Sequence, residues 1–168
     1  MGRVRAARAE VVSVDFEERR PDDPQILPLY ADFIREADTE LGLDIVEAEL
    51  AAGPPRDLTQ PNGVMLLAVR DDEAAGLGGV RHLDTDVAEI KSMYVDPAHR
   101  GHGVAIALLR RLEAIARDRG CLATRLDTSD YLTPAVALYR SAGYLEVPDY
   151  NGNPKANLWF ERRSNVQD

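Results

Sequence analysis

The residues best placed to do chemistry lie in one tight run, Arg100-Gly101-His102-Gly103-Val104-Ala105. An apolar, strand-like stretch leads into the run and a long helical pattern leaves it. The first N–H groups of a helix have no intrahelical acceptor, and the helix dipole adds partial positive charge at that end. Glycine has no Cβ, so at Gly101 and Gly103 an anion can approach the main chain closely. Arg100 brings a planar fork of donors suited to phosphate oxygens. A diphosphate is the ligand such a run favours. The plainer reading, two glycines that only let the chain turn, stays open on these six residues alone. The dinucleotide pattern G-x-G-x-x-G fails because Ile106 stands at its third glycine, and no G-x-x-x-x-G-K-[ST] occurs.

The elements that must hold this run can be read on either side of it. Residues 87–95 (VAEIKSMYV) form a β-like run closed by Asp96-Pro97. Residues 103–119 carry Val104, Leu108, Leu112 and Ile115 on one face, with Gly120 as the stop, a spacing that predicts a helix. Residues 121–127 (CLATRLD) predict the next strand, so this stretch reads as a β-α-β crossover whose two strands are parallel. Upstream, 9–16 predicts a first strand, and a helix follows to Leu41 with Pro24 in its first turn. A short helix at 44–52 stops at Gly53-Pro54-Pro55. The runs 64–70, 75–83 and 87–95, parted by acidic turns, predict an antiparallel meander. Downstream, Thr133 as a hydroxyl cap and Pro134 at the first helical position open a helix to Ala142. Two last strands, 144–147 and 156–163, flank the turn-rich PDYNGNPK. The expectation is one α/β domain over residues 1–168, with a mixed, mostly antiparallel sheet, a central parallel strand pair and flanking helices.

With both flanks in view, residues 88–120 (AEIKSMYVDPAHRGHGVAIALLRRLEAIARDRG) resemble the signature region of the GNAT superfamily of N-acetyltransferases. Its phosphate motif, [Gln/Arg]-x-x-Gly-x-[Gly/Ala], is matched by Arg100, Gly103 and Ala105. A second stretch, LDTSDYLTPAVALYRSAGYLEV, resembles the later strand and helix of that superfamily, and the likeness extends over roughly residues 9–163. The tail EVPDYNGNPKANLWFE resembles a branch of small bacterial acetyltransferases of unknown substrate.

The resemblance implies the GNAT fold and acetyl-CoA as co-substrate, with no metal. It implies that the parallel strands splay and that the pantetheine arm lies between them, bonded to the main chain of Met93, Tyr94 and Val95. One N–H there would stabilise the oxyanion of acyl transfer. The amides of Gly101, His102, Gly103, Val104 and Ala105, with Arg100, would hold the diphosphate. Tyr139 matches the superfamily's general acid, and its alternative is core packing among Ala135, Leu138 and Ala142. Glu89 matches the glutamate base of one branch; burial beside a cleft would raise its pKa as a base requires. Its alternative is an exposed strand carboxylate paired with Lys91. Tyr150 and Asn151 are candidates for the acceptor pocket, whereas Asp44, Glu47 and Glu49 read as a solvated helix face and Trp159 and Phe160 as strand packing.

The implied reaction is transfer of an acetyl group to a primary amine of a small molecule or a peptide. A non-turning acyl-CoA sensor and a protein-modifying enzyme or toxin remain as rivals. Composition narrows the rest. A net charge of −9 excludes general attraction to nucleic acid, and an acidic surface suits a cationic acceptor. The single cysteine, Cys121, excludes an internal disulfide, and its apolar neighbours argue against a nucleophile; His99 and His102 lack a third metal ligand near them. No signal-like segment and no run of about 20 apolar residues occurs, so a cytoplasmic protein off the membrane is expected. The acceptor, the acyl length and the oligomeric state, a homodimer included, stay open.

Overall fold

The computed structural model describes residues 13–164, so residues 9–12 of the expected first strand lie outside the described residues. The elements run β1 (Asp15–Arg19), α1 (Ile26–Leu41), α2 (Val46–Ala52), β2 (Gly63–Arg70), β3 (Glu73–Asp84), β4 (Val87–Val95), a 3-10 turn (Pro97–His99), α3 (Val104–Asp118), β5 (Ala123–Thr128), α4 (Thr133–Ser141), β6 (Leu145–Val147) and β7 (Leu158–Arg163). The seven strands form one sheet in the order β1-β2-β3-β4-β5-β7-β6. Every neighbouring pair is antiparallel except β4 and β5. The α3 crossover is what makes that pair parallel, since two strands entered in the same direction need a long connection over one face.

The helices cover both faces. Leu108, Leu109 and Leu112 of α3 and Val136 and Tyr139 of α4 pack against Val80, Ile90, Leu126 and Phe160 of the sheet. On the other face Ile26, Leu29, Tyr30 and Ile34 of α1 pack against Met65, Leu67, Leu77 and Tyr94. Along β2, Val64 and Leu66 face one core and Met65 and Leu67 the other, as the period of two requires. Among the described residues no helix is long and apolar enough to cross a membrane.

Two local expectations are corrected. Helix α1 begins at Ile26, after Gln25, and Pro24 precedes it. Helix α4 is entered from Leu132 with no side-chain cap; Thr133 and Pro134 fill its first two helical positions, so the Thr133 hydroxyl does not cap.

Candidate active site

Strands β4 and β5 pair only through Val87–Ala123, Ala88–Thr124 and Glu89–Arg125. Beyond that point both continue without a shared ladder, and the sheet forks. On its other side β4 carries a bulge. Its register with β3 shifts so that Lys91 faces Gly79 but Tyr94 faces Leu77, and Ser92 takes a positive φ of 56°. A bulge breaks the ladder and re-aims the main chain, here just before Met93–Val95.

The fork opens into a cleft of about 1000 Å³. Met93, Tyr94 and Val95 border it along β4, and Gly101, Gly103, Val104 and Ala105 border it at the start of α3. Leu138 and Tyr139 of α4 line one wall, and Phe33, Glu36, Ala37 and Glu40 of α1 line another. The α1 residues recur at i, i+3, i+4 and i+7, so one helical stripe faces the opening. His102 and Glu89 do not contribute to the lining.

The turn has the form an anion cradle needs. Asp96 caps the 3-10 turn by accepting from the Ala98 N–H at 2.8 Å, and Pro97 starts it with φ already set. Gly101 and Gly103 then take φ of 77° and 78°, which L side chains rarely adopt, and a Cβ on either would meet no protein atom within 4 Å. The Ala107 N–H donates to the Gly103 carbonyl at 3.1 Å, so the amides just before it lie at the unpaired start of α3. Glycine is therefore required by conformation, and the space above the turn is open.

Arg100 is held by β4 and α1. Its Nε donates to the Val95 carbonyl at 2.9 Å, its Nη2 to Glu36 Oε2 at 2.6 Å, and its guanidinium stands 5.5 Å from the centre of the Tyr94 ring. The side chain reaches α1 and, with Glu36, borders the cleft beside Gly101.

Tyr139 is both packed and cleft-lining. Its ring packs against Tyr144 and Phe160, at 5.9 and 6.2 Å between centroids, and it also borders the cleft. Among the described residues nothing hydrogen-bonds its hydroxyl. Burial, and secondarily the Asp127 charge, push the phenol well above its usual value, so it holds its proton.

Glu89 differs from expectation. It is 1% exposed and saturated with donors. Its Oε2 accepts from Arg81 Nε at 2.9 Å and Nη2 at 2.7 Å. Its Oε1 accepts from the Tyr150 hydroxyl at 3.0 Å and Asn151 Nδ2 at 3.1 Å, with Lys91 Nζ at 3.3 Å. Neither an exposed carboxylate nor a base open to the cleft describes this group. Lys91 reaches on to Asp127 Oδ2 at 2.8 Å and so bridges β4 and β5 just past their last shared pair. Asp127 also accepts from Asn151. Burial alone would raise the Asp127 carboxyl, but the bonds from Lys91, Asn151 and Asn153 outweigh it and hold it below the usual range. Trp159 Nε1 donates to Asn151 Oδ1 at 2.9 Å, and Arg125 lies 5.3 Å from the Tyr150 ring. Burial and then the Glu89 charge keep the Tyr150 phenol protonated.

Tyr150 and Asn151 thus anchor the β6–β7 loop to the floor beneath the fork and do not line the cleft themselves. Lys155 ties the same loop to Glu49 of α2, whereas Asp44 and Glu47 are exposed. Cys121 is buried away from the cleft beside His82, and burial raises its thiol. The sequence reading missed Asp127, Arg81, Phe33 and Glu36. Strand alternation places Arg125 and Asp127 on one face of β5, opposite Leu126, and that was the available signal for Asp127.

The chain's relatives agree with this geometry. Residues 16–144 match the model of the Acetyltransferase (GNAT) family. An uncharacterised N-acetyltransferase of Schizosaccharomyces pombe is 34% identical over 146 residues, covering 83% of this chain and 88% of its own length. One from Escherichia coli is 31% identical over 131 residues, covering 73% and 78%. Among solved structures, one described as an acyl-CoA N-acyltransferase from Klebsiella pneumoniae superposes with a TM-score of 0.73 at 27% identity, covering 89% of this chain and 97% of its own. A Thermoplasma acidophilum N-acetyltransferase in complex with coenzyme A shares the fold at a TM-score of 0.74 and 16% identity, over 90% and 99% of the two chains.

Proposed function

The chain belongs to the acetyltransferase (GNAT) family and is an N-acetyltransferase, and on that premise we propose that it transfers an acetyl group from acetyl-CoA to a primary amine of a small molecule or peptide by direct attack. The observation that carries this reading is the single cleft in which the glycine turn and Tyr139 meet at the fork of β4 and β5.

Acetyl-CoA supplies an activated thioester. The open space over Gly101 and Gly103 fits its diphosphate, and the amides from Gly101 to Ala105, at the positive end of α3, hold that group. The main chain of Met93–Val95, re-aimed by the bulge and without a β5 partner, bonds the pantetheine arm and turns one N–H toward the carbonyl oxygen. Tyr139 gives its phenolic proton to the departing sulfur. Its burial keeps that proton in place until a thiolate forms beside it. The attacking amine loses its proton to water in the cleft, because Glu89 is walled off by its five donors. Cys121, buried and outside the cleft, takes no part, which favours one-step transfer over a covalent enzyme intermediate.

The test is to incubate the protein with acetyl-CoA and pooled primary amines while following free thiol. Amine-dependent thiol release is expected. With the responding amine, Tyr139→Phe should lower turnover by about a hundredfold or more, the usual span of general-acid effects. Wild type and variant agreeing at saturating acetyl-CoA would show that water protonates the sulfur. No thiol release with any amine, despite CoA binding, would favour the sensor.

A further inference from the structure

Resting on the reading that Gly101–Ala105 holds the diphosphate, we propose that Arg100 is a positioning residue that clamps α1 to the cofactor turn and transmits the turn's occupancy to the α1 wall of the cleft. Its guanidinium touches Glu36 on α1, the Tyr94 ring that packs with α1, and the main chain of β4. Nε fixes the side chain to the end of β4 through the Val95 carbonyl at 2.9 Å. Nη2 reaches Glu36 at 2.6 Å. The plane stands over Tyr94, whose ring is 6.1 Å from Phe33.

Phe33 and Glu36 are one helical turn apart on the stripe of α1 that borders the cleft. Arg100 therefore meets that stripe twice, once through charge and once through the Tyr94 ring. Among the described residues, Arg100–Glu36 is the only side-chain hydrogen bond or ion pair joining α1 to the sheet or the turn. One end of the clamp sits next to Gly101; the other sits on the wall past which an acceptor must come. Arg100 and Glu36 side chains are 45% and 39% exposed, and exposed pairs contribute little to global stability. Their effect is local to α1.

A phosphate-binding Arg100 and a clamping Arg100 make opposite predictions for Glu36. If Arg100 served phosphate, Glu36 would compete for it, Glu36→Gln would tighten CoA binding, and Arg100→Lys would preserve that binding. A clamp needs Nε and Nη2 at once, a geometry lysine lacks.

The experiment measures amide exchange over Ile26–Leu41 with and without CoA, beside calorimetry of CoA binding. In wild type, CoA should slow exchange in the half of α1 that carries Phe33–Glu40 by about threefold or more. Arg100→Gln, Arg100→Lys and Glu36→Gln should each bind CoA within about twofold of wild type yet lose that response, and the double variant should add nothing. Tighter CoA binding by Glu36→Gln, or binding weakened about tenfold by Arg100→Gln but kept by Arg100→Lys, would overturn the clamp. So would a wild-type α1 that ignores bound CoA. Wild type failing to bind CoA at all would instead defeat the reading of the turn.

Discussion

The two regions that meet at the fork are built from different materials. The cofactor turn is made of main chain: two glycines at positive φ, a run of unpaired amides and the end of a helix. The floor below the fork is made of side chains: Glu89, Arg81, Lys91, Asp127, Tyr150 and Asn151 are bonded to one another, with Glu89 buried among them and Asn151 exposed at the rim. A main-chain site tolerates any side chain that leaves the backbone path open. A side-chain network fails at once when a member is changed, since the partners are left buried without their bonds.

Three variants test that contrast, the largest effect first. Gly103→Glu should abolish CoA binding, because it forces a side chain and a negative charge into the open space above a left-handed residue. Thermal unfolding should move far less than affinity. Calorimetry showing a folded variant that binds CoA as wild type does would remove the diphosphate from the turn.

Glu89→Gln should act in the reverse sense, on stability more than on chemistry. Replacing a buried carboxylate that faces Arg81 and Lys91 with an amide leaves charges uncompensated, at a cost of about 3–5 kcal/mol by denaturant unfolding. The acidic limb of the pH–rate profile should persist in whatever folds. A variant of wild-type stability that lost that limb would make Glu89 the base after all.

Asp127→Asn should cost less, about 1–3 kcal/mol at pH 7, as the loss of charged bonds to a partly buried group. The folded carboxyl lies below its unfolded value, so its contribution is present above about pH 4 and is lost as the pH falls through the folded value. The gap between variant and wild type should close in acid. A gap independent of pH would mean that shape, not charge, holds the bridge.

The same contrast explains what could be read from the residues alone. The turn, α3 and α4 were legible because their signals are local: glycine spacing, a 3.6-residue apolar period, and a proline early in α4. Strand β4 was also legible, with both ends where alternation and Asp96-Pro97 put them. The surroundings of Glu89 were not, because its donors arrive from Arg81 across a hairpin and from Tyr150 and Asn151 some sixty residues on. Only the register of β3, β4, β5 and β7 brings them together. Arg100 has partners that were hidden for a related reason. Its motif position points to phosphate, while its side chain answers to Glu36, 64 residues earlier.

The fork also bears on where the sheet leaves its strand flanks unpaired. A sheet normally shields its strands by pairing them, and an unpaired strand flank is an invitation to foreign chains. Past Glu89 and Arg125, β4 and β5 turn such flanks toward each other in the middle of the sheet, with helices over both faces. The edge that can accept an extended arm is thus recessed from casual encounters. The outer border is blunted by β6, only three residues long. The gap is open to a ligand while the unpaired strand flanks beside it stay inside the sheet.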